Sequence, residues 1–254
     1  MRHLLLPALA AGLLLAAAGR AADPADARAI LDRAAQAHGG LDKLSALRAD
    51  RVKAKGVVFL NKSKIPFTAE TSIQLPNQFR NVMRFEVNGK PRTLTQILNG
   101  DQGWVTDDGK VLTPDAKALN NMKEMIYLDN VVRLAPLLKE KGFDLKTLPE
   151  TKVNDRPAVG VRVASKGHKD VDLYFDRQTS LLVKTVHPVV NAEGKEVQQE
   201  EYYSDHRETN GCKRPMKVVA YQDGVKSMEG ELTEVKYLDR IDPREFARPE
   251  PARP

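Results

Sequence analysis

The sequence predicts a mainly β protein of the α+β kind: one large, curved antiparallel sheet or open β-barrel, covered by a helical insert and preceded by an N-terminal helix. Three observations predict it. From Arg51 onward apolar residues recur at every second position, which is the period of a strand with one dry and one wet face. The segments are separated by short turns such as Asn88-Gly89, Asp108-Gly109 and Asn210-Gly211, the residues that tight hairpins demand. One stretch alone, Pro114 to Lys141, abandons period two for a helical pattern.

The first residues do not belong to this domain. Arg2 and His3 precede an apolar run from Leu4 to Ala18, and small residues flank Arg20, which is the order of a cleavable secretory signal over residues 1–21. The run is about fifteen residues, short of the roughly 20 that cross a bilayer, so the expected product is periplasmic and soluble, without a stable membrane anchor. No cysteine follows the run to accept a lipid. The single cysteine, Cys212, lies near the far end and reads as a small, partly buried residue; it excludes a disulfide framework and a cysteine metal site.

Residues 22–249 are expected to form one domain. Asp23 and Pro24 read as N-cap and first turn of a helix that carries Ile30, Leu31 and Ala34 on one face and closes at Gly39-Gly40; a short helix follows over Leu41 to Leu47. Then come strands carrying Val52, Ala54, Val58 and Leu60; Ile65, Phe67, Ala69, Ile73 and Leu75; and Phe79, Met83, Phe85 and Val87. Residues 91–99 and 103–113 continue the meander. The insert reads as two helices with Met122, Met125, Ile126, Val131, Leu134, Leu137 and Leu138 as apolar positions. Seven more strands run from Asp144 to Leu238, and the Pro/Arg-rich end reads as a loose tail, residues 250–254 being outside the domain.

Charge and motifs narrow the function. Losing Arg2 and Arg20 with the leader lowers the net charge from +6 to +4. No block of five or more Lys or Arg occurs, which argues against a nucleic-acid partner. There is no nucleophile elbow, zinc-protease helix, phosphate loop or dinucleotide fingerprint, so no enzyme, no metal site and no cofactor is expected. His38, His168, His187 and His206 are too dispersed for a local metal triad and read as structural. Asp205, His206 and Glu208 form one acid/base cluster, but turn capping accounts for Asp205 equally well. An enzyme acting on envelope polymers, with Asp205 and His187 converging in a cleft, is a third-ranked reading.

The adaptable apolar residues are the positive signal. Phe67, Ile73, Phe79, Met83, Phe85, Trp104, Met122, Met125 and Ile126 would come together if the helices cover the hollow of the sheet. Pattern alone leaves open whether they enclose a cavity or a filled core.

Several local motifs, in order, match a known group: Leu75-Pro76-Asn77-Gln78-Phe79-Arg80, Ile97 to Val105 through Asn99-Gly100-Asp101, Leu173-Tyr174-Phe175-Asp176 before Leu181 to Lys184, Tyr203 to Arg207, and Phe246 to Pro249. On these the chain, from about Ala25 to Pro249, resembles the LolA/LolB-type superfamily of periplasmic lipoprotein carriers, an open antiparallel β-barrel lidded by helices. It differs from the best-known carriers in its added N-terminal helix, longer insert and many charged strand positions. The resemblance implies an apolar cavity, walled by the nine residues just named, that shelters a lipid or the acyl chains of a lipidated protein. A second reading is an envelope sensor or scaffold in which the same barrel binds a protein partner without transporting lipid.

Overall fold

The computed structural model describes residues 24–60, 63–191 and 193–250. The leader expected over residues 1–21 and the N-cap Asp23 lie outside the described residues. Helix α1 (Pro24–Ala37) buries Ala27, Leu31, Ala34 and Ala35 completely or nearly so, and α2 (Leu41–Ala46) follows. Gly39 separates them at φ 128°, where a side chain is strained. It also lets the helix end touch a distant hairpin, since a Cβ here would stand 2.4 Å from the Gly211 carbonyl oxygen.

Six strands then form a meander: β1 (Ala49–Leu60), β2 (Ser63–Gln74), β3 (Gln78–Val87), β4 (Lys90–Asn99), β5 (Gln102–Asp107) and β6 (Lys110–Leu112). The insert is α3 (Ala116–Val132) and the short α4 (Ala135–Lys139), and a second meander follows: β7 (Phe143–Val153), β8 (Arg156–Ser165), β9 (Val171–Asp176), β10 (Leu182–Val190), β11 (Glu196–Thr209), β12 (Cys212–Gln222) and β13 (Val225–Leu238). All thirteen strands belong to one antiparallel sheet in the order β6-β5-β4-β3-β2-β1-β13-β12-β11-β10-β9-β8-β7. The last strand pairs with the first, Ala49 opposite Leu238 and Val58 opposite Met228, while β6 and β7 remain unpaired edges. The sheet is curved and not closed. No helix among the described residues is long and apolar enough to cross a membrane.

The chain end is better ordered than its composition suggests. A 3-10 turn, Pro243–Phe246, folds onto the outer face of the sheet, where Phe246 and Ile241 are buried against Ala49 and Ile97. Glu245 accepts hydrogen bonds there from Arg51 (2.5 Å) and Ser72 (3.1 Å).

On the inner face one carboxylate ties the layers together. Asp50, at the start of β1, is fully buried and its Oδ2 accepts from Arg133 at the C-terminus of α3 (3.0 Å) and from Arg214 on β12 (2.6 Å). Arg133 also donates to Asp129 (2.7 Å) and to the Leu47 carbonyl (3.0 Å). Removing one partner of such a cluster leaves buried charge uncompensated, which typically costs about 3–5 kcal/mol. Asp50→Ala is therefore expected to lower unfolding stability by about that amount in a denaturant titration.

His38 anchors the end of α1. The Leu182 N–H reaches its Nε2 at 3.4 Å, which assigns the proton to Nδ1, and Nδ1 donates to the Ala34 carbonyl at 2.8 Å. Burial lowers its pKa to about 4, and burial lowers those of His187 and His206 as well. The unfolded chain takes up these protons near 6.5. Between pH 6.5 and 4 the unfolded state binds more protons, so stability rises with pH and is lost as pH falls through that window. His38 alone accounts for up to about 3 kcal/mol of that loss. The expected outcome is a thermal midpoint that drops steadily below pH 6.5, with a shallower slope in His38→Gln.

Candidate functional site

The site follows from how α3 crosses the sheet. Asp115 caps the helix, its side chain accepting the Ala118 N–H at 2.7 Å, and Met122, Ile126, Tyr127 and Val131 form its buried face. That face packs on β4, β5 and β9, on either flank of the sheet. On one flank Met122 and Ile126 join Ile73, Leu75, Phe79 and Leu98. On the other, Tyr127, Val131, Leu134 and Leu137 join α1 and the residues Leu145, Val161, Val163, Leu173 and Phe175. These are two separate cores. Between them, under the helix and over β1 and β11 to β13, lies a cavity of ≈ 870 Å³, within the range typical of small-molecule sites.

One side of this cavity is apolar. Phe67, Ile73, Met83, Met216, Val218, Met228 and Leu232 line it. The Phe67 ring lies over a cross-strand glycine pair, Gly56 on β1 and Gly230 on β13. A Cβ on Gly56 would stand 2.2 Å from the Glu229 carbonyl oxygen and 2.7 Å from the ring, so the missing side chain lets the ring settle onto the backbone. Met125 lines the cavity from α3 yet is 48% exposed, which places it at a mouth.

The other side is a polar lane across β10, β11 and β12. Thr185 Oγ1 and Tyr203 Oη are 3.1 Å apart; Tyr203 donates to Glu201 Oε2 (2.5 Å), Gln199 donates to Glu201 Oε1 (2.6 Å), and Gln222 donates to Gln199 Oε1 (3.0 Å). Burial, with Glu201 beside it, pushes the Tyr203 phenol well above its ordinary value. His187 sits in this lane opposite Gln199, and burial lowers its pKa, keeping the ring neutral at pH 7.

Of the nine residues expected to wall a cavity, the structure brings Phe67, Ile73, Met83 and Met125 to the lining. Phe79, Met122 and Ile126 stand just behind it, in the same core as Ile73. Phe85 is half-buried opposite Phe67 on β3, outside the lining. Trp104 is a correction: it is one residue out of step with the inward-facing Val105 and packs on the outer face with Ile97 and Phe246. The lining from β10 to β13 was missed, although Met216, Val218 and Ala220 keep the period-two spacing that marks an inner face.

The acid/base cluster is used structurally. Asp205, at φ 54°, is held by Arg207 (2.8 Å), whose hydrogen bond lowers its pKa, and His206 Nε2 donates to the Leu182 carbonyl (2.9 Å). No hydrogen bond joins Asp205 to His187. Cys212 is buried, and burial pushes its thiol upward, away from reactivity. Among the described residues no three His, Cys, Asp or Glu side chains are grouped to hold a metal ion.

Solved structures share this architecture. A domain of Vibrio parahaemolyticus described as an outer membrane lipoprotein-sorting protein matches with a TM-score of 0.55 at 8% identity, covering 88% of this chain and 97% of the other. A LolA superfamily protein from Nitrosomonas europaea matches with a TM-score of 0.56 at 9% identity, covering 87% and 97%. The chain has the LolA-type fold. A DUF1329 family protein from Desulfovibrio piger gives a TM-score of 0.57 at 10% identity, covering 89% and 98%, so the shared architecture spans nearly the whole of each chain. No protein-family model and no curated protein matches the sequence. At such identities the likeness concerns fold alone, and the site rests on its own geometry.

The glycine pair gives a direct check on that geometry. Gly56→Ala has no free space for its Cβ, and overpacking of this kind costs about 1–3 kcal/mol. The expected result is a lower denaturation midpoint together with a displaced Phe67 ring, seen as a change in its aromatic proton shifts.

Proposed function

We propose that this protein is a periplasmic carrier or binding protein for a hydrophobic ligand, a lipid or the acyl chains of a lipoprotein, held between the sheet and α3. The observation that carries the reading is the division of the interior into two cores with a cavity of ≈ 870 Å³ between them. An ordinary core would close that gap, because interiors pack to crystal-like density. Sheltering an acyl chain of about fifteen methylenes from water requires on the order of 10 kcal/mol at ~0.8 kcal/mol per methylene, and only a sizeable dry wall supplies that. Methionines at 83, 125, 216 and 228 suit a wall that must grip and then release, since their flexible thioethers adapt to different shapes. The LolA-type fold, with one neighbour described as an outer membrane lipoprotein-sorting protein domain and another as a LolA superfamily protein, supports the same reading.

The test is uptake of a fluorescent acyl probe, joined to native mass spectrometry of protein purified from the envelope. Wild type is expected to bind the probe and to carry lipid on isolation. Met83→Lys and Met228→Lys, which place an ammonium in the apolar wall, are expected to weaken uptake at least tenfold. Trp104→Ala, on the outer face, is expected to lower thermal stability and leave uptake unchanged. Absence of both probe binding and bound lipid would overturn the carrier reading.

A further inference from the structure

We infer that the cavity seats an anionic head group, a carboxylate or phosphate carried on an apolar tail, at Arg214 and Tyr237. This rests on the carrier reading and adds to it the charge and the direction of the ligand.

The seat lies at the end of the cavity where α3 finishes. Arg214 on β12 and Tyr237 on β13 both line it, and Tyr237 stands directly across from Asp50 in the pairing of β1 with β13. Asp50 itself is sealed, its side chain 0% exposed, whereas Arg214 keeps 23% of its side-chain surface accessible. The two arginines that hold Asp50 are used differently. Arg133 commits all three nitrogens, Nε to Asp129, Nη1 to the Leu47 carbonyl and Nη2 to Asp50. Arg214 commits Nη1 alone, to Asp50 Oδ2 at 2.6 Å. Among the described residues its Nε and Nη2 have no carboxylate or carbonyl to donate to, and the half-buried Tyr237 phenol beside them offers a further O–H.

Donors alone are on offer here, and that decides the head group. A carboxylate or phosphate accepts two N–H groups of one guanidinium side by side, at charge-assisted strength, whereas a neutral hydroxyl matches the fork poorly. The charges agree. Asp50 and Asp129 face Arg214 and balance it together with Arg133. Lys213 and Lys217, on the same strand, also line the cavity, and among the described residues neither has a carboxylate partner; Glu231, opposite Lys217 in register, is turned to Lys55 at 3.8 Å. This end therefore carries an excess of positive charge. Beside Met125 the balance is reversed, because Glu124 and Glu196 line the wall, Lys169 is paired with Glu196, and Lys117 donates to the Gly194 carbonyl. The tail has a path between the two. Inward positions on β12 continue from Arg214 through Met216 and Val218 to Ala220, about 20 Å at ~3.3 Å per residue, with Gly230 and Met228 of β13 alongside. A head held by Arg214 thus lays its tail along the apolar wall toward Met125.

The experiment compares ligands at pH 8 by competition against the acyl probe: dodecanoate, dodecyl phosphate, 1-dodecanol as the neutral head on the same tail, and inorganic phosphate as a head without a tail. Both anionic amphiphiles are expected to bind at least tenfold tighter than dodecanol, and inorganic phosphate to displace nothing. Arg214→Lys keeps a cation beside Asp50 but removes the fork. It is expected to bring the preference below threefold while dodecanol affinity stays within about twofold, a split that loss of structure alone would not give. Tyr237→Phe is the gentler variant and should shrink the preference severalfold. Dodecanol binding as tightly as dodecanoate, or a preference unaltered in both variants, overturns this inference and leaves the carrier reading intact. So does a preference that disappears in Lys117→Gln and persists in Arg214→Lys, which would put the head at the other end, or displacement by inorganic phosphate alone, which would make the seat one for free anions. Failure of the probe and of every tailed ligand to bind overturns the carrier reading and this inference with it.

Discussion

The inner architecture depends on one buried carboxylate. Asp50 sits where β1 begins and holds Arg133 of α3 and Arg214 of β12 by a single oxygen. This contact joins three parts of the molecule that hydrophobic packing alone leaves separate: the first strand, the insert and the last meander. Apolar burial is non-directional and would accept many positions of α3 over the sheet. A charged cluster at the helix C-terminus accepts one, and the buried arginines are held protonated by their acids, Arg133 strongly so. The carboxylate's second oxygen has no partner, which makes the cluster a device of registration more than of net stability.

Given that fixed end, the cavity becomes intelligible. α3 touches the sheet on its flanks and spans the strands between. The helix behaves as a crossbar on two supports, and the supports are the two cores. Space remains under it because the facing strands offer small or absent side chains at the centre, with Ala54, Gly56 and Gly230 among them. The apolar surface that lines it is contributed by flexible residues, whereas the polar lane is made of short, mutually bonded groups. The cavity thus has a compliant half and a stiff half.

Much of this was legible in the sequence. Strand boundaries followed from period two and from Asn-Gly and Asp-Gly turns, because those turns admit few alternatives. Helix α1 and the insert followed from capping residues and from apolar spacing. What escaped were facts set by distant partners. Trp104 looked like a cavity residue until the chain end, with Ile241 and Phe246, was found covering the outer face. The lane from Thr185 to Gln222 was invisible because its members alternate with Glu200, Tyr202 and Ser204 in a strand where both faces carry polar groups. Asp50, in a charged stretch, gave no sign that it would be wholly buried; only the pairing of β1 with β13 brings Arg214 within reach.

That pairing inverts the usual relation between a chain and its sheet. The middle of the sequence, around β6 and β7, supplies the two edges, and the two ends of the sequence meet at the centre. During synthesis β1 has a neighbour on one side only until β13 has emerged, and its twelve residues stand as an open template in the meantime. Contacts between residues so far apart in sequence make for slow assembly. A protein built this way cannot lose β13 without splitting its sheet down the middle, and its vulnerable moment is the interval before β13 arrives.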